Sequence, residues 1–164
     1  MLKVLHPLQE KIINRLVKKI LDYYGENLVT LAIYGSFARG EPNVNSDLDI
    51  LIILERKSGI PQEIRRFQEN IESDVEKELQ ELYEKYGINM ELSPLILSKE
   101  GARYFNPLYL DMLDSVVILF DRDDFFKKIL EKLCSRRKDF KKIQVGDTYV
   151  WDFTRKNLIG EKIL

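Results

Sequence analysis

Residues 34–51 read YGSFARGEPNVNSDLDIL. A Gly-Ser pair at 35–36 is separated by ten residues from Asp-Leu-Asp at 47–49, and the second aspartate leads into an apolar run. The preceding residues 28–34, LVTLAIY, are β-branched and aromatic types that predict a strand ending at the glycine. The sequence therefore places a Gly-Ser turn at the end of one strand and two carboxylates at the start of the next.

The Asp-Leu-Asp motif heads a strand whose apolar residues cover both faces, which is typical of a central strand. Side chains alternate along a strand, so Asp47 and Asp49 point the same way with Cβ atoms roughly 7 Å apart. Two like charges on a buried strand are costly unless they are neutralised, and no Lys or Arg lies within this strand. A divalent cation removes the problem, and ligands that are all oxygen atoms suit Mg²⁺ or Mn²⁺. The alternative is an N-capping aspartate beside a surface turn.

The Gly-Ser pair adds a phosphate-binding arrangement to these carboxylates. Gly35 allows close backbone approach, the Ser36 hydroxyl donates a hydrogen bond, and a following helix N-terminus favours negative charge. Arg39, one turn further on, has a planar guanidinium group that suits phosphate oxygens. The alternative is an ordinary turn. A P-loop is excluded, because no Gly-Lys-Ser/Thr follows.

The rest of the chain alternates helices and strands, which predicts one α/β (α+β) domain built on a mixed β-sheet of about four to five strands. Apolar spacing and turn residues predict helices at 5–24, 36–40, 64–86, 106–113 and 126–133, and strands at 28–34, 47–55, 88–97, 115–121 and 148–153. We find no internal repeat and no linker, so residues 1–164 are expected to form a single domain.

The string GSFARGEPNVNSDLDILI resembles the signature of the DNA polymerase β-like nucleotidyltransferase superfamily: Gly-Ser, a spacer, then Asp-x-Asp heading a hydrophobic strand. The ten-residue spacer and the Ala-Arg-Gly after it resemble the minimal nucleotidyltransferase branch of small stand-alone prokaryotic domains. The clear resemblance covers a core motif region, 28–97, followed by a C-terminal extension, 98–164.

The resemblance implies a nucleotidyltransferase fold and a division of labour among the matched residues. Gly35 and Ser36 would hold the triphosphate of an NTP, and Asp47 and Asp49 would hold the metal ions and so be catalytic. The family also implies a third carboxylate on a neighbouring strand, as a metal ligand or as the base for the attacking hydroxyl.

Glu91 is the candidate for that third carboxylate. On the predicted strand 88–97 it lies on a face with Asn89 and Ser93, as a lone charge that needs a partner. The family commonly has aspartate there, so glutamate is a departure, and a solvent-facing edge residue is the alternative. Asp111 and Asp114 are less favoured, because both fall on or near a short helix.

These expectations combine into a magnesium-dependent enzyme that transfers a nucleoside monophosphate, AMP from ATP, to an acceptor hydroxyl. The resemblance implies an antitoxin role for some relatives, which adenylylate a tyrosine of a helical toxin-like partner protein. The alternative is a catalytically silent module of the same fold that only binds a nucleotide or a partner.

The composition limits which other classes of partner the chain could have. The net charge of −1 gives no global attraction to nucleic acid or membrane, and the basic cluster at 136–142 fits a helix C-terminus better than an RNA contact. One cysteine and no long apolar run predict a reduced, cytoplasmic setting. The acceptor, the preferred base and any homo-oligomer remain open.

Overall fold

A computed structural model describes residues 2–146, 148–152 and 158–164. Its helices are α1 (Pro7–Tyr24), α2 (Gly35–Arg39), α3 (Ile60–Asn70), α4 (Glu76–Tyr86), α5 (Lys99–Ala102), α6 (Leu108–Asp114) and α7 (Phe125–Ser135). Its strands are β1 (Leu28–Tyr34), β2 (Leu48–Leu54), β3 (Leu92–Ser98), β4 (Val117–Asp121), β5 (Lys141–Val145) and β6 (Thr148–Asp152).

Four strands form a mixed sheet in the order β3-β2-β1-β4. Strand β1 pairs antiparallel with both β2 and β4, whereas β2 and β3 are parallel. The predicted fold class is therefore confirmed, and β2 is central as its two apolar faces indicated. Strands β5 and β6 form a separate two-stranded hairpin.

Helices cover both faces of the sheet, because β1 and β2 expose apolar side chains on each side. Helices α1, α3 and α4 pack on one face through a core that includes Leu16, Ile50 and Phe67. Helices α6 and α7 pack on the other face, where Leu51 and Ile53 lie. Since Asp49 alternates in phase with Leu51, its side chain belongs to the α6–α7 face.

Helix α1 begins at Pro7, two residues later than predicted, because His6 caps it. The His6 Nδ1 atom accepts a hydrogen bond from the Leu8 N–H at 3.1 Å, and Gln9 Oε1 accepts from the His6 N–H at 3.3 Å. Such reciprocal bonds satisfy N–H groups that lack helical partners. The lone histidine thus has a structural role that the sequence pattern did not indicate.

The predicted long helix over 64–86 is wrong in one respect, since it is two helices. Helix α3 ends at Asn70 and α4 begins at Glu76, with a 3₁₀ turn at Glu72–Asp74 between them. Ile71 and Val75 leave helical geometry while both stay fully buried. The apolar stripe continues across the break because both helices pack on the same core.

Other elements also differ from the prediction. Strand β3 begins at Leu92, four residues later than expected. Helix α5 and strand β5 were not predicted; β5 is exposed along its whole length and so lacks the apolar alternation of a core strand. The last strand is present at 148–152, and residue 153 of that prediction lies outside the described residues.

Among the residues described, no helix combines the length and the apolar character that crossing a bilayer requires.

Candidate active site

The two aspartates lie where β2 begins. Asp47 is exposed just before the strand, and Asp49 is half-buried inside it, paired with Tyr34 of β1 and Ser93 of β3. The Ser93 side chain lies close enough to the Asp49 carboxylate to lower its pKa. Burial raises the pKa of Asp49, and the nearby charge of Asp47 raises it further. The two carboxylates therefore act on each other as the Asp-x-Asp spacing predicted.

Gly35 brings the backbone of the Gly-Ser turn directly against Asp49. Its φ is +69°, and a Cβ atom added there would lie 2.0 Å from Asp49 Oδ2. Only glycine combines a left-handed backbone with the absence of a side chain. The Gly-Ser turn and the aspartate pair are thus one site, although ten residues separate the two motifs.

Helix α2 places Ser36 and Arg39 at the same site. Ser36 is half-buried next to Gly35 in the first turn. Arg39 lies close enough to Asp49 to lower its pKa, which only partly offsets burial and Asp47. The guanidinium group remains half-exposed, with its Nε 4.0 Å from Glu41 Oε2. It is a cation facing the aspartates that stays available to an incoming anion.

Glu91 does not join this group. Residues 88–91 precede β3, so the strand alternation used to predict its direction does not reach it. Its side chain is exposed and lies near Glu72, whose pKa is raised first by burial and then by Glu76 and Glu91. Only its backbone meets the site, where the Glu91 carbonyl accepts a hydrogen bond from the Leu48 N–H at 2.8 Å.

Glu91 instead lines a cleft of about 630 Å³ between β3 and the α3–α4 pair. Within the described ranges, no three His, Cys, Asp or Glu side chains are grouped so that they could hold a metal ion. Glu91 as third carboxylate stays a prediction that this arrangement of side chains does not support.

Asp111 of α6 acts on Tyr34, the residue of β1 that is paired with Asp49. The pKa of Tyr34 is raised to about 12, first by burial and then by the charges of Asp49 and Asp111. Asp111 Oδ1 also accepts a hydrogen bond from Trp151 Nε1 at 2.9 Å. Asp114, its neighbour on α6, instead bonds Arg137 and Lys142. The sequence gave no signal that Asp111 acts on Tyr34, because Tyr34, Asp49 and Asp111 are far apart along the chain.

The aspartate pair fits a divalent cation. Neither carboxylate forms an ion pair with a Lys or Arg within 4.0 Å in the part of the chain described. Their oxygens and the Ser93 hydroxyl are hard ligands of the kind that Mg²⁺ prefers. Magnesium usually takes only one or two protein carboxylates and fills its other positions with water and substrate phosphates. Two aspartates beside a glycine turn are therefore a sufficient protein contribution.

Comparison with known families shows which family the chain belongs to. A family model for the nucleotidyltransferase domain matches residues 13–145. The chain belongs to this family. The match extends beyond the 28–97 region in which the sequence alone carried the resemblance, and it confirms the predicted recognition.

One curated relative of this nucleotidyltransferase chain comes from Methanocaldococcus jannaschii and is provisionally named a protein adenylyltransferase. It is 28% identical over 150 residues, which cover 88% of this chain and 96% of the relative. The match thus spans nearly the whole relative.

One solved structure supports the fold. The spectinomycin adenyltransferase AAD(9) from Enterococcus faecialis, solved with ATP and spectinomycin, matches with a TM-score of 0.54 at 13% identity. The match covers 72% of this chain and 58% of that one, so this chain spans little more than half of the larger enzyme. A toxin–antitoxin structure with AMP-PNP matches with a TM-score of 0.44 at 17% identity over 75% of this chain and 85% of that one. A TM-score below 0.5 does not by itself establish a shared fold.

Proposed function

We propose that this chain is a metal-dependent adenylyltransferase that moves AMP from ATP to a hydroxyl group of a protein acceptor. The observation that carries the proposal is the contact of the Gly35 backbone with the Asp49 carboxylate, since it joins a phosphate cradle to a metal-ligating pair. The family match supports nucleotidyl transfer, and the name of the archaeal relative supports a protein acceptor.

Each residue of the site has a role in this proposal. Gly35 lets the triphosphate approach the backbone, and the Ser36 hydroxyl donates to a phosphate oxygen. Arg39 neutralises charge on the polyphosphate. Asp47 and Asp49 hold one or two Mg²⁺ ions, which supply charge neutralisation and Lewis acidity when bound. Positioning and electrostatics of this kind carry phosphoryl-group chemistry without a protein nucleophile.

The reaction balances without any further reactant. The acceptor hydroxyl oxygen forms a bond to the α-phosphorus of ATP, and the bond from that phosphorus to the bridging oxygen breaks. Pyrophosphate leaves with the bonding electrons, and the hydroxyl proton passes to a carboxylate base. The product is an AMP ester of the acceptor.

We propose Glu91 as that base or as a third ligand, on two observations. Its carbonyl is fixed by the Leu48 N–H beside Asp47, and its exposed side chain is free to turn away from Glu72. The repulsion that raises the pKa of Glu72 favours such a turn.

A tyrosine of a helical toxin-like partner is the acceptor that we propose, as the minimal-branch resemblance implies. The direct experiment mixes the chain with α-labelled ATP, Mg²⁺ and the product of the neighbouring gene, or a cell extract. We expect a labelled protein that disappears with the double variant Asp47→Asn/Asp49→Asn. Tight nucleotide binding with no labelled product under any of these conditions would instead support a silent binding module.

A further inference from the structure

A second polar pocket lies at the opposite end of the sheet from the aspartates. It opens where β1 begins and β2 ends, about 20 Å along the strands from Asp49. Its volume is about 510 Å³, and it is lined by Tyr23, Tyr24, Asn27, Arg56, Lys57, Ser58, Glu63 and Arg66. The proposed transfer reaction uses none of these residues.

The rim of this pocket is held in place by hydrogen bonds on both sides. Asn27 donates from Nδ2 to the Arg56 carbonyl at 2.8 Å and accepts from the Arg56 N–H at 2.9 Å. Glu63 Oε1 accepts from the Ser58 N–H at 2.8 Å. The loop that carries the cationic residues is thus fixed before any ligand arrives, which lowers the entropy lost on binding.

The pocket carries an excess of positive charge. Glu63, only 3% exposed, pairs with Arg66 at 3.1 Å, which leaves Arg56 and Lys57. Among the residues described, neither of these two lies within 4.0 Å of a carboxylate. Helix α3 also begins here at Ile60 without a side-chain cap, so its positive end faces the same region.

One buried group in the pocket lacks a partner. Tyr24 is 8% exposed, and its hydroxyl has no hydrogen-bond partner among the described residues. Buried hydroxyl groups are nearly always hydrogen-bonded, so an unpaired one indicates a place where a ligand atom could bind. Burial first, and then the charge of Glu63, raise the pKa of this tyrosine, so the hydroxyl keeps its proton and can donate. Lys57 Nζ donates to the Ser58 carbonyl at 3.4 Å, and it shares the pocket lining with Arg56 and Tyr24. A pocket lined by a hydroxyl donor and by two cations without a carboxylate partner suits an oxyanion.

We propose that this pocket binds a phosphate group of a small phosphorylated ligand, at a site separate from the triphosphate site. Arg56 and Lys57 supply the charge, and Tyr24 donates the hydrogen bond that orients the group. Glu63 is the one carboxylate in the lining, and its pairing with Arg66 at 3.1 Å reduces its repulsion of an anion.

Binding is measured by calorimetry and thermal unfolding with inorganic phosphate, tripolyphosphate and AMP, against sodium sulfate and chloride at equal ionic strength. We expect phosphate compounds to raise the melting temperature more than sulfate or chloride. The ranking of phosphate against AMP tells a free phosphate site from a nucleotide site. Equal effects of all the salts would contradict the proposal, because they would indicate unselective screening.

Variants show whether the unpaired Tyr24 hydroxyl belongs to a ligand site or is only a defect in packing. Lys57→Ala should weaken phosphate binding about tenfold, whereas Arg65→Ala, a neighbouring arginine that does not line the pocket, should leave it unchanged. Tyr24→Phe should raise the stability of the unliganded chain and weaken phosphate binding. A Tyr24→Phe chain that is more stable but binds phosphate as before would overturn the proposal.

The active-site variant Asp47→Asn/Asp49→Asn tests the second phosphate site separately from the proposed transfer reaction. Phosphate binding at the second pocket should survive in that variant even though labelled transfer is lost. Loss of phosphate binding along with transfer would place the anion at the aspartate site instead, and would contradict a second site.

Discussion

The Gly35 backbone lies against the Asp49 carboxylate so closely that a Cβ atom at position 35 would sit 2.0 Å from Asp49 Oδ2. Asp49 belongs to the central strand of the sheet and has little room to retreat. The glycine is therefore required by the site itself, and the requirement holds before any nucleotide is bound.

Gly35→Ala should destabilise the chain and abolish transfer. The left-handed backbone costs an alanine about 1–2 kcal/mol, and contact with Asp49 adds about 1–3 kcal/mol of overpacking. Gly40→Ala is the matched control, because its φ is +73° but no atom of the described residues lies within 4 Å of the added Cβ. Chemical denaturation measures the free energy of unfolding of both variants. Equal losses of unfolding free energy for the two variants would show that the contact with Asp49 is unimportant.

Asp49→Asn should stabilise the chain at neutral pH when no metal is present. Because the folded-state pKa of Asp49 is raised, ionisation penalises the folded state. The penalty begins as the pH rises past the ordinary pKa of a carboxyl group and is complete above the raised pKa. The melting temperature of the variant should therefore exceed that of the unsubstituted chain at pH 7, and the difference should shrink as the pH falls. A variant less stable than the original at pH 7 would contradict this assignment of the shift.

Glu91→Gln tests the proposed third carboxylate. If Glu91 turns toward Asp47 when substrate binds, the amide should lower the rate of transfer at least about tenfold without changing the melting temperature. Glu72→Gln is the control, since Glu72 neighbours Glu91 but lies away from the aspartates. Unchanged transfer in Glu91→Gln, with a loss in Asp111→Asn, would move the role to the residue beside Tyr34.

The central part of the fold follows from the sequence because its strands are short, apolar on both faces and bounded by turn residues. Strand β1 has the predicted bounds, and β2 lies one residue inside its prediction at each end. The break at Ile71–Val75 could not be predicted, since buried β-branched residues preserve the spacing of one helix across it. Hairpin strand β5 is exposed along its whole length and carries no core signal.

The candidate site, like the fold, could be predicted from the sequence only in part. Local spacing was enough to bring Gly35, Arg39, Asp47 and Asp49 together, because two strands and one tight turn fix their geometry. The direction of Glu91 depended on a strand that begins only at Leu92, so alternation failed there. Ser93, which is paired with Asp49 in the strand register and lowers its pKa, was named only as sharing a face with Glu91.

Calorimetric titration with a non-hydrolysable ATP analogue tests the central claim most directly, namely that Asp47 and Asp49 beside Gly35 hold a metal-bound triphosphate. The account predicts binding with Mg²⁺ that weakens at least about tenfold in EDTA and equally in Asp47→Asn/Asp49→Asn. Binding of equal strength without the metal, or in the double variant, would contradict it.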